Sequence, residues 1–234
     1  MPGTLYLIPN SLGSQDPDMF LAPKVKSIIT GIRHLVVENI RNARRYLKLV
    51  DSGIDIDAIE FMELNKHTPP ERIKEYLGPL LQGHDMGMIS EAGLPGVADP
   101  GATLARYAHE KDLPVVPLTG PSSLFLSLMA SGLNGQSFRF SGYLSVKRPE
   151  RIRELKDLEQ RALKMHETQI FMETPYRNNS LLSDILHSCG NDTMLTIAAD
   201  ITTETEFIKT RSIGAWKKKK PDLHKRPAVF LLGR

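Results

Sequence analysis

The sequence predicts an α/β protein of two domains, with a mainly parallel sheet in the N-terminal domain and a mixed sheet in the C-terminal domain. In residues 1–117, short apolar runs typical of buried strands alternate with segments of helical composition, which is the pattern of βα units. In residues 118–234 the closing strands follow one another closely, so part of that sheet is expected to be antiparallel. We therefore place the domain boundary after residue 117.

In the N-terminal domain, the strands are short apolar runs and the helices have one apolar face. The third helix has the clearest start: Thr68 is placed to cap it, two prolines occupy its first turn and Glu71 completes a capping box. Strands are expected at residues 4–9, 34–38, 61–64, 86–89 and 114–118, and helices at 24–32, 40–49, 68–81 and 102–109.

In the C-terminal domain, the same patterns predict more strands than helices. A segment beginning at Gly120-Pro-Ser-Ser123 opens a helix that extends to Ala130, and a long charged amphipathic helix follows the first strand. The predicted strands are at residues 138–143, 168–173, 194–200, 206–212 and 228–232, and the further helices are at 149–165 and 180–187.

Composition and cysteine usage narrow the class of protein. The chain has 234 residues, of which 41% are hydrophobic and 24% charged, as in ordinary globular proteins. Its single cysteine, Cys189, has no internal disulfide partner, and no Cys/His cluster has the spacing of a zinc site. The N-terminus lacks the pattern of a signal peptide, and no apolar stretch is long enough to span a bilayer. We expect a cytoplasmic protein with no bound metal and no membrane segment.

Charge is distributed unevenly along the chain. Residues 1–138 carry 12 Lys/Arg against 15 Asp/Glu, whereas residues 139–234 carry 18 against 12. The resulting net charges of −3 and +6 give the C-terminal part a mild preference for polyanions. The run Lys217 to Lys220 contributes much of the excess, and it is typical either of a solvated loop between strands or of a contact with RNA.

The most informative segment is the stretch from Met88 to Gly101. After a short buried strand, three glycines and two prolines occur between Gly93 and Gly101, and a helical composition then resumes. A strand that leads into a glycine-rich loop and then a helix is the usual ligand-binding arrangement in an open α/β sheet. A crossover loop without a ligand would have the same composition.

Three other loops also follow predicted strands. Loops after several parallel strands converge at one edge of a sheet, where glycines and helix N-termini offer backbone groups to a ligand. Ser122 and Ser123 bring hydroxyls that suit a carboxylate or a ribose, although Ser122, taken alone, favours a role in capping its helix. The loops are Pro9-Asn-Ser-Leu-Gly13, Gly120-Pro-Ser-Ser123 and Glu173-Thr-Pro-Tyr-Arg177.

Taken in order, these blocks resemble the tetrapyrrole methylase family of S-adenosylmethionine-dependent methyltransferases. The chain is most similar to the subgroup that methylates the ribose 2′-hydroxyl of a cytidine in small-subunit ribosomal RNA. The blocks are Gly3-Thr-Leu-Tyr-Leu-Ile-Pro9 with Leu12-Gly13, Ser90-Glu-Ala-Gly-Leu-Pro95, Ala98-Asp-Pro-Gly101, Val116-Pro-Leu-Thr-Gly-Pro121, Ala130-Ser-Gly-Leu133, Phe138 to Leu144 and Phe171-Met-Glu-Thr-Pro-Tyr-Arg177.

The chain departs from that subgroup at two blocks. The subgroup usually carries Glu-Asp-Thr-Arg where this chain has Glu38-Asn-Ile-Arg41. It usually carries Ser-Asp-Ala-Gly-Thr-Pro where this chain has Ser90-Glu-Ala-Gly-Leu-Pro95. The altered residues would line the acceptor side of the site.

The resemblance implies a homodimer of two-domain subunits, with the cofactor bound in the cleft between the domains. Its partner would be ribosomal RNA or the small ribosomal subunit. Carried over position by position, the cofactor contacts would be Pro9, Gly93, Leu94, Val97, Ser122, Ser123, Met172, Ala199 and Pro227.

A ribose hydroxyl is a weak nucleophile at neutral pH, so a nearby base should assist its methylation. Glu38 is our candidate because it ends a strand at the inferred cleft, although pairing with Arg41 or Arg44 would explain it equally well. Glu91 is expected either to hold the acceptor or to brace the loop. Arg41 and Arg177 are expected to bind RNA phosphates, unless Arg177 pairs with Glu173.

Three functions therefore remain open from the sequence. The first is a methyltransferase acting on ribosomal RNA, and the second is a methyltransferase acting on a tetrapyrrole-like or other small acceptor. The third is a paralogue that binds the cofactor without turnover, which the altered blocks at Glu38–Arg41 and Glu91–Pro95 suggest.

Overall fold

A computed structural model describes residues 1–65 and 67–234, which form two compact units, Met1–Ser122 and Ser123–Arg234. The division lies beyond residue 117, where the sequence analysis places the boundary. Leu118 still belongs to the first unit, because its backbone N–H donates to the Leu7 carbonyl at 3.0 Å and its side chain packs with Ile8 and Ile89.

The first unit contains a five-stranded parallel sheet with strand order β3-β2-β4-β1-β5. Because all strands are parallel, their carboxyl ends meet along one edge. The strands are β1 (Leu5–Ile8), β2 (His34–Val37), β3 (Glu60–Glu63), β4 (Met86–Ile89) and β5 (Val115–Pro117). The helices are α1 (Pro23–Gly31), α2 (Ile40–Val50), α3 (Pro70–Glu75), α4 (Gly78–Leu81) and α5 (Gly101–His109), with a short 3-10 helix at Pro17–Met19.

Helices cover both faces of this sheet, as parallel sheets require. On one face α1 and α2 contribute Ile29 and Leu47 to a cluster with Leu35 of β2. On the other face α3, α4 and α5 contribute Ile73, Leu80 and Leu104 to a cluster that contains strand residues from β1 and β4.

The helix expected over residues 68–81 is two helices, and the predicted cap is wrong. Thr68 accepts a hydrogen bond from the Asn65 N–H at 3.0 Å instead of capping α3, whose N-cap is Pro69. Two prolines in succession explain the shift, because the residue before a proline is disfavoured in helical geometry. The chain then leaves α3 at Tyr76 and restarts at Gly78.

The second unit contains a mixed five-stranded sheet with order β6-β7-β10-β8-β9, in which only β6 and β7 pair in parallel. The combination of a parallel and a mixed sheet confirms the predicted fold class. The strands are β6 (Phe138–Tyr143), β7 (Thr168–Met172), β8 (Met194–Ala199), β9 (Phe207–Ser212) and β10 (Ala228–Gly233). The helices are α6 (Ser123–Ser131), α7 (Arg148–Met165), α8 (Asn178–Ser188) and α9 (Ile213–Lys218).

Helix α9 is absent from the sequence prediction, which treated the lysine run as a loop or an RNA contact. Ser212 caps this helix, accepting from the Ala215 N–H at 3.3 Å, and Trp216 anchors it in the core. The four lysines therefore differ in structure: Lys217 and Lys218 end the helix, whereas Lys219 and Lys220 follow it. With only six residues, the helix is too short to produce a recognisable amphipathic pattern.

Within the described ranges, none of the helices combines the length and apolar character needed to cross a bilayer. Cys189 is buried in the apolar core of the second unit as a free thiol.

Candidate functional site

The loops that leave β1 and β4 are joined at the carboxyl edge of the first sheet. The backbone N–H of Asn10 donates to the Gly93 carbonyl at 2.8 Å. The Asn10 side-chain amide donates to the carbonyls of Ser90 at 2.8 Å and Glu91 at 3.1 Å. One asparagine thus fixes the start of the glycine-rich loop against the turn after β1.

The glycine-rich loop takes a conformation that depends on two of its glycines. Gly93 and Gly96 have φ of +68° and +82°, a region that other residues rarely adopt. The Asp99 carboxylate stabilises the loop by accepting from the Gly96 N–H at 2.9 Å and the Gly101 N–H at 2.7 Å. Burial raises the pKa of Asp99, and the two hydrogen bonds, which lower it, do not cancel that effect.

The segment after β5 packs onto the same place. A Cβ added to Gly120 would lie 2.1 Å from the Pro9 Cβ, so only glycine fits there. A Cβ on Gly93 would meet Leu12 Cδ2 at 3.2 Å and the Pro121 carbonyl oxygen at 3.6 Å. The structure therefore brings together Pro9, Gly93 and the residues just before Ser122, as the predicted convergence of loops requires.

Glu38 follows β2 at this edge and is half-buried. Its Oε1 accepts a hydrogen bond from the Glu91 backbone N–H at 3.2 Å. Burial raises the pKa of Glu38, the Glu91 hydrogen bond lowers it, and the negative charges of Asp99 and Glu91 raise it further. The net effect is a pKa above the ordinary value for glutamate, which is the direction that makes a carboxylate a better base near neutral pH.

The alternative in which Glu38 only pairs with an arginine of the following helix is wrong. In the part of the chain that the structure describes, the ion pairs of the first unit do not include Glu38, Arg41 or Arg44. Arg44 instead lies over the Phe61 ring, with its Cζ 5.6 Å from the ring centroid, and Arg41 is exposed.

The residues that depart from the ribosomal subgroup still have clear local roles. Asn39 is the N-cap of α2 and accepts from the Asn42 N–H at 3.1 Å, which an aspartate at that position would do equally well. The Glu91 carboxylate accepts from the Asn42 side-chain amide at 2.5 Å. Glu91 therefore braces the loop against α2 while its backbone N–H holds Glu38.

Two concave surfaces adjoin these groups. A recess of about 10 Å³ is lined by Glu38, Ser90 and Asp99 together with apolar side chains at the strand ends. A wider groove of about 440 Å³ extends along α2 past Asn42 and Arg45. A small acidic recess thus lies beside an open polar groove.

Four of the nine predicted cofactor contacts belong to the second unit. Met172 ends β7 and Ala199 ends β8, and β10 lies between them with Ala228 opposite Ala199 and Val229 opposite Met172. The Pro227 carbonyl accepts from the Asp200 N–H at 2.9 Å at the same edge. The structure therefore gathers three of the four at one edge of the second sheet, while Ser123 begins α6.

Arg177 forms the pair that the sequence left open as an alternative to phosphate binding. Its Nη2 donates to Glu173 Oε1 at 2.6 Å, and the Glu173 side chain is 1% exposed. Because a buried carboxylate neutralises this guanidinium, its structural role outweighs the proposed phosphate contact.

Sequence reasoning missed three side chains that organise the first site. Asn10 joins two loops, Asn42 holds Glu91, and the Tyr46 hydroxyl donates to the Pro9 carbonyl at 2.5 Å. Burial raises the pKa of Tyr46, so its hydroxyl stays a donor at neutral pH. The available signal was a tyrosine on the apolar stripe of α2, since a buried hydroxyl needs a partner.

The strand ends described above, in the first sheet and in the second, each have features that fit S-adenosylmethionine, the cofactor implied by the resemblance. The positive-φ glycines leave a backbone cradle without side chains, which suits close approach of a ligand. In the second unit, two buried acceptors in the segment after β7, Glu173 Oε2 and Asn178 Oδ1, have no partner among the described residues, as expected where a polar ligand completes a site. Among the described residues no cluster of three or more His, Cys, Asp or Glu is arranged to hold a metal.

Solved structures show the same fold. The methyltransferase CobJ superimposes with a TM-score of 0.65 and 16% identity, covering 100% of this chain and 95% of that one. Uroporphyrin III C-methyl transferase from Thermus thermophilus gives a TM-score of 0.61 with 17% identity, covering 99% and 98%.

Sequence comparison gives a more specific relationship, although no family model matches the chain. Ribosomal RNA small subunit methyltransferase I from Streptococcus pyogenes is 31% identical over 213 residues, which are 90% of this chain and 69% of that protein. The proteins of the same name from Synechocystis and Vibrio cholerae are 29% and 28% identical, covering 86% and 88% of this chain and 67% of each relative. The chain belongs to the tetrapyrrole methylase family and is an S-adenosylmethionine-dependent methyltransferase.

Proposed function

We propose that this enzyme takes part in ribosomal RNA processing by methylating the ribose 2′-hydroxyl of a cytidine in small-subunit ribosomal RNA. The observation that carries this proposal is the similarity to ribosomal RNA small subunit methyltransferase I over 90% of the chain. The same resemblance supports a homodimer acting in the cytoplasm, which light scattering of the purified protein and cell fractionation would test.

Glu38 is proposed as the base that accepts the proton of the ribose hydroxyl. Its Oε1 is engaged by the Glu91 N–H, whereas no described group donates to Oε2. A raised pKa and the absence of a cationic partner among the described residues both make this carboxylate a stronger proton acceptor. S-adenosylmethionine, when bound, supplies a methyl group activated by its sulfonium, so positioning of the two reactants supplies much of the remaining acceleration.

The other site residues divide by role in this proposal. Glu91 positions Glu38 and joins it to α2 through Asn42. Arg41, exposed at the start of α2, is proposed to contact an RNA phosphate, whereas Arg177 is proposed to hold Glu173 in place. The proposed cofactor contacts are Pro9, Gly93, Leu94, Val97 and Ser122 in the first unit and Ser123, Met172, Ala199 and Pro227 in the second.

The decisive experiment measures transfer of labelled methyl groups to three acceptors. These are protein-free small-subunit ribosomal RNA, whole small subunits, and a tetrapyrrole, each with wild type and with Glu38→Gln. We expect transfer to the RNA or the subunit, and digestion to nucleosides should place the label on the ribose of a cytidine. We expect Glu38→Gln to lower the rate by about 10²–10⁴-fold, because it removes the proton acceptor, with unchanged affinity for S-adenosylhomocysteine.

The same variant controls for misfolding. A carboxylate whose folded-state pKa is raised destabilises the native protein above that pKa, and the stability returns as the pH falls through it. Glu38→Gln should therefore leave the protein as stable as wild type, or more stable, at neutral pH. Transfer to the tetrapyrrole alone would reject the RNA acceptor, and cofactor binding without transfer to any acceptor would favour a non-catalytic paralogue. Full activity of Glu38→Gln would reject Glu38 as the base.

A further inference from the structure

The lysine run belongs to a larger basic segment at the edge of the second sheet. Residues 207–221 contain six Lys or Arg and no Asp or Glu. β9 is the edge strand of the sheet, and its alternation puts Phe207, Lys209 and Arg211 on one face.

Helix α9 and the residues after it complete an open groove of about 210 Å³ beside this face. Lys209 and Arg211 line it from β9, and Lys219 and Lys220 line it from the chain beyond α9. Four cations from two separate segments thus surround one concave surface, which we call the basic groove.

These four cations are not compensated within the described part of the chain. None of them takes part in an ion pair, whereas elsewhere in the unit Arg151 pairs with Asp184 and Arg226 with Asp200. Several positive charges that line one concave surface produce a focused positive potential, because solvent and salt screen them only partly there. The basic groove therefore favours an anionic occupant.

The floor of the basic groove decides which part of a nucleic acid it suits. Trp216 is only 2% exposed, so its ring offers no face for stacking of a base. The Arg211 guanidinium lies over that ring, with Cζ 5.3 Å from the centroid, which orients its donors. Charge without an accessible aromatic platform matches phosphate contacts, which are independent of base sequence.

A second interpretation is that the cations only protect the edge strand. Lysines on an edge strand discourage pairing with another chain, and this accounts for Lys209. It does not account for Lys219 and Lys220, which lie outside the sheet and line the same groove.

We infer that the basic groove binds the phosphodiester backbone of the RNA substrate, outside the nucleotide that is methylated. The inference rests on the proposed function, since it assumes that the acceptor is RNA. It assigns the second unit a share of substrate binding that is separate from its cofactor contacts at the ends of β7 and β8.

The experiment compares two triple variants that remove the same charge. The groove variant is K209Q/K219Q/K220Q, and its control is R153Q/K156Q/K164Q, which neutralises exposed side chains of α7 in the same unit. Affinity for protein-free small-subunit ribosomal RNA is measured from about 50 to 200 mM salt, because each phosphate contact contributes about 0.7–0.9 to the slope of log K against log salt. Transfer kinetics, S-adenosylhomocysteine affinity and the oligomeric state are recorded in parallel.

We expect the slope of the groove variant to be shallower by about 2–3 and its KM for the RNA to rise, with kcat and cofactor affinity unchanged. The control variant should keep the wild-type slope. Equal slopes for the two variants, or aggregation of the groove variant as its only change, would overturn the inference and leave the proposed function standing. Failure of wild type to bind or methylate RNA would instead overturn both.

Discussion

The two sheets carry carboxylates at their strand ends, but the two sets have opposite electrostatic surroundings. In the first unit, Glu38 and Asp99 have pKa values raised mainly by burial, and neither has a cationic partner among the described residues. In the second unit, Glu173 and Asp200 each form an ion pair, with Arg177 and Arg226 respectively.

The presence or absence of an arginine partner distinguishes structural carboxylates from functional ones. The number of acidic residues at each sheet does not make this distinction. A buried carboxylate without a partner costs stability, and proteins retain such groups mostly at sites that use them. A carboxylate paired with arginine has its charge compensated and ties elements together. The first edge therefore suits proton acceptance, and the second suits the support of a bound ligand by fixed loops.

The largest loss of stability should come from breaking a buried ion pair between a carboxylate and an arginine. Asp184 on α8 and Arg151 on α7 are 3% and 5% exposed and are joined at 2.5 Å. Asp184→Ala leaves the guanidinium buried and uncompensated, so we expect a loss of about 3–5 kcal/mol in the free energy of unfolding, measured by denaturant titration.

The control is Arg148→Ala, because Arg148 pairs with the same carboxylate but its side chain is 62% exposed. We expect it to cost less than about 1 kcal/mol. Burial raises the pKa of Asp184, yet the hydrogen bonds and charges of Arg148 and Arg151 outweigh this and lower it. The stabilisation should therefore be present above the unfolded-state pKa and be lost as the pH falls through the folded-state pKa. Equal losses for the two variants would contradict the assignment of Asp184 to the structural type.

A smaller loss of stability is expected from a substitution in the glycine-rich loop. A glycine of similar backbone conformation in the second unit provides the matched control. Gly93 and Gly132 have nearly the same positive φ, +68° and +71°, but nothing lies within 4 Å of a Cβ added at Gly132. Valine at either position should cost about 1–3 kcal/mol of stability through backbone strain.

Only Gly93→Val should also weaken S-adenosylhomocysteine binding, because its side chain would fill the proposed cradle. Calorimetric affinities, compared at a temperature where both variants are folded, separate ligand binding from strain. Unchanged affinity in folded Gly93→Val would remove the glycine-rich loop from the cofactor site.

The sequence predicted the strands well because buried apolar runs and turn residues are local signals. It predicted Glu38 as a site residue because a polar residue at the end of a parallel strand has a predictable position. It left the partner of Arg177 open, since a pairing over four residues depends on the local backbone path. It missed α9 and the role of Asn10, because a six-residue helix and a contact across eighty residues leave no periodic pattern.

The smallest loss of stability is expected from removing the Tyr46 hydroxyl, which joins α2 to the turn after β1. Tyr46→Phe removes the hydrogen bond to the Pro9 carbonyl, and we expect it to cost about 1 kcal/mol of stability. Tyr76→Phe is the matched control, because the Tyr76 hydroxyl donates at 2.7 Å to the carbonyl of Glu63, the last residue of β3, and the Tyr46 and Tyr76 side chains are 5% and 6% exposed. Both variants should lose similar stability in thermal unfolding. Only Tyr46→Phe should weaken binding of S-adenosylhomocysteine, by a few fold, because it frees a proposed cofactor contact to move. Equal affinities for the two variants would show that the turn at Pro9 is fixed by Asn10 and the glycine-rich loop alone.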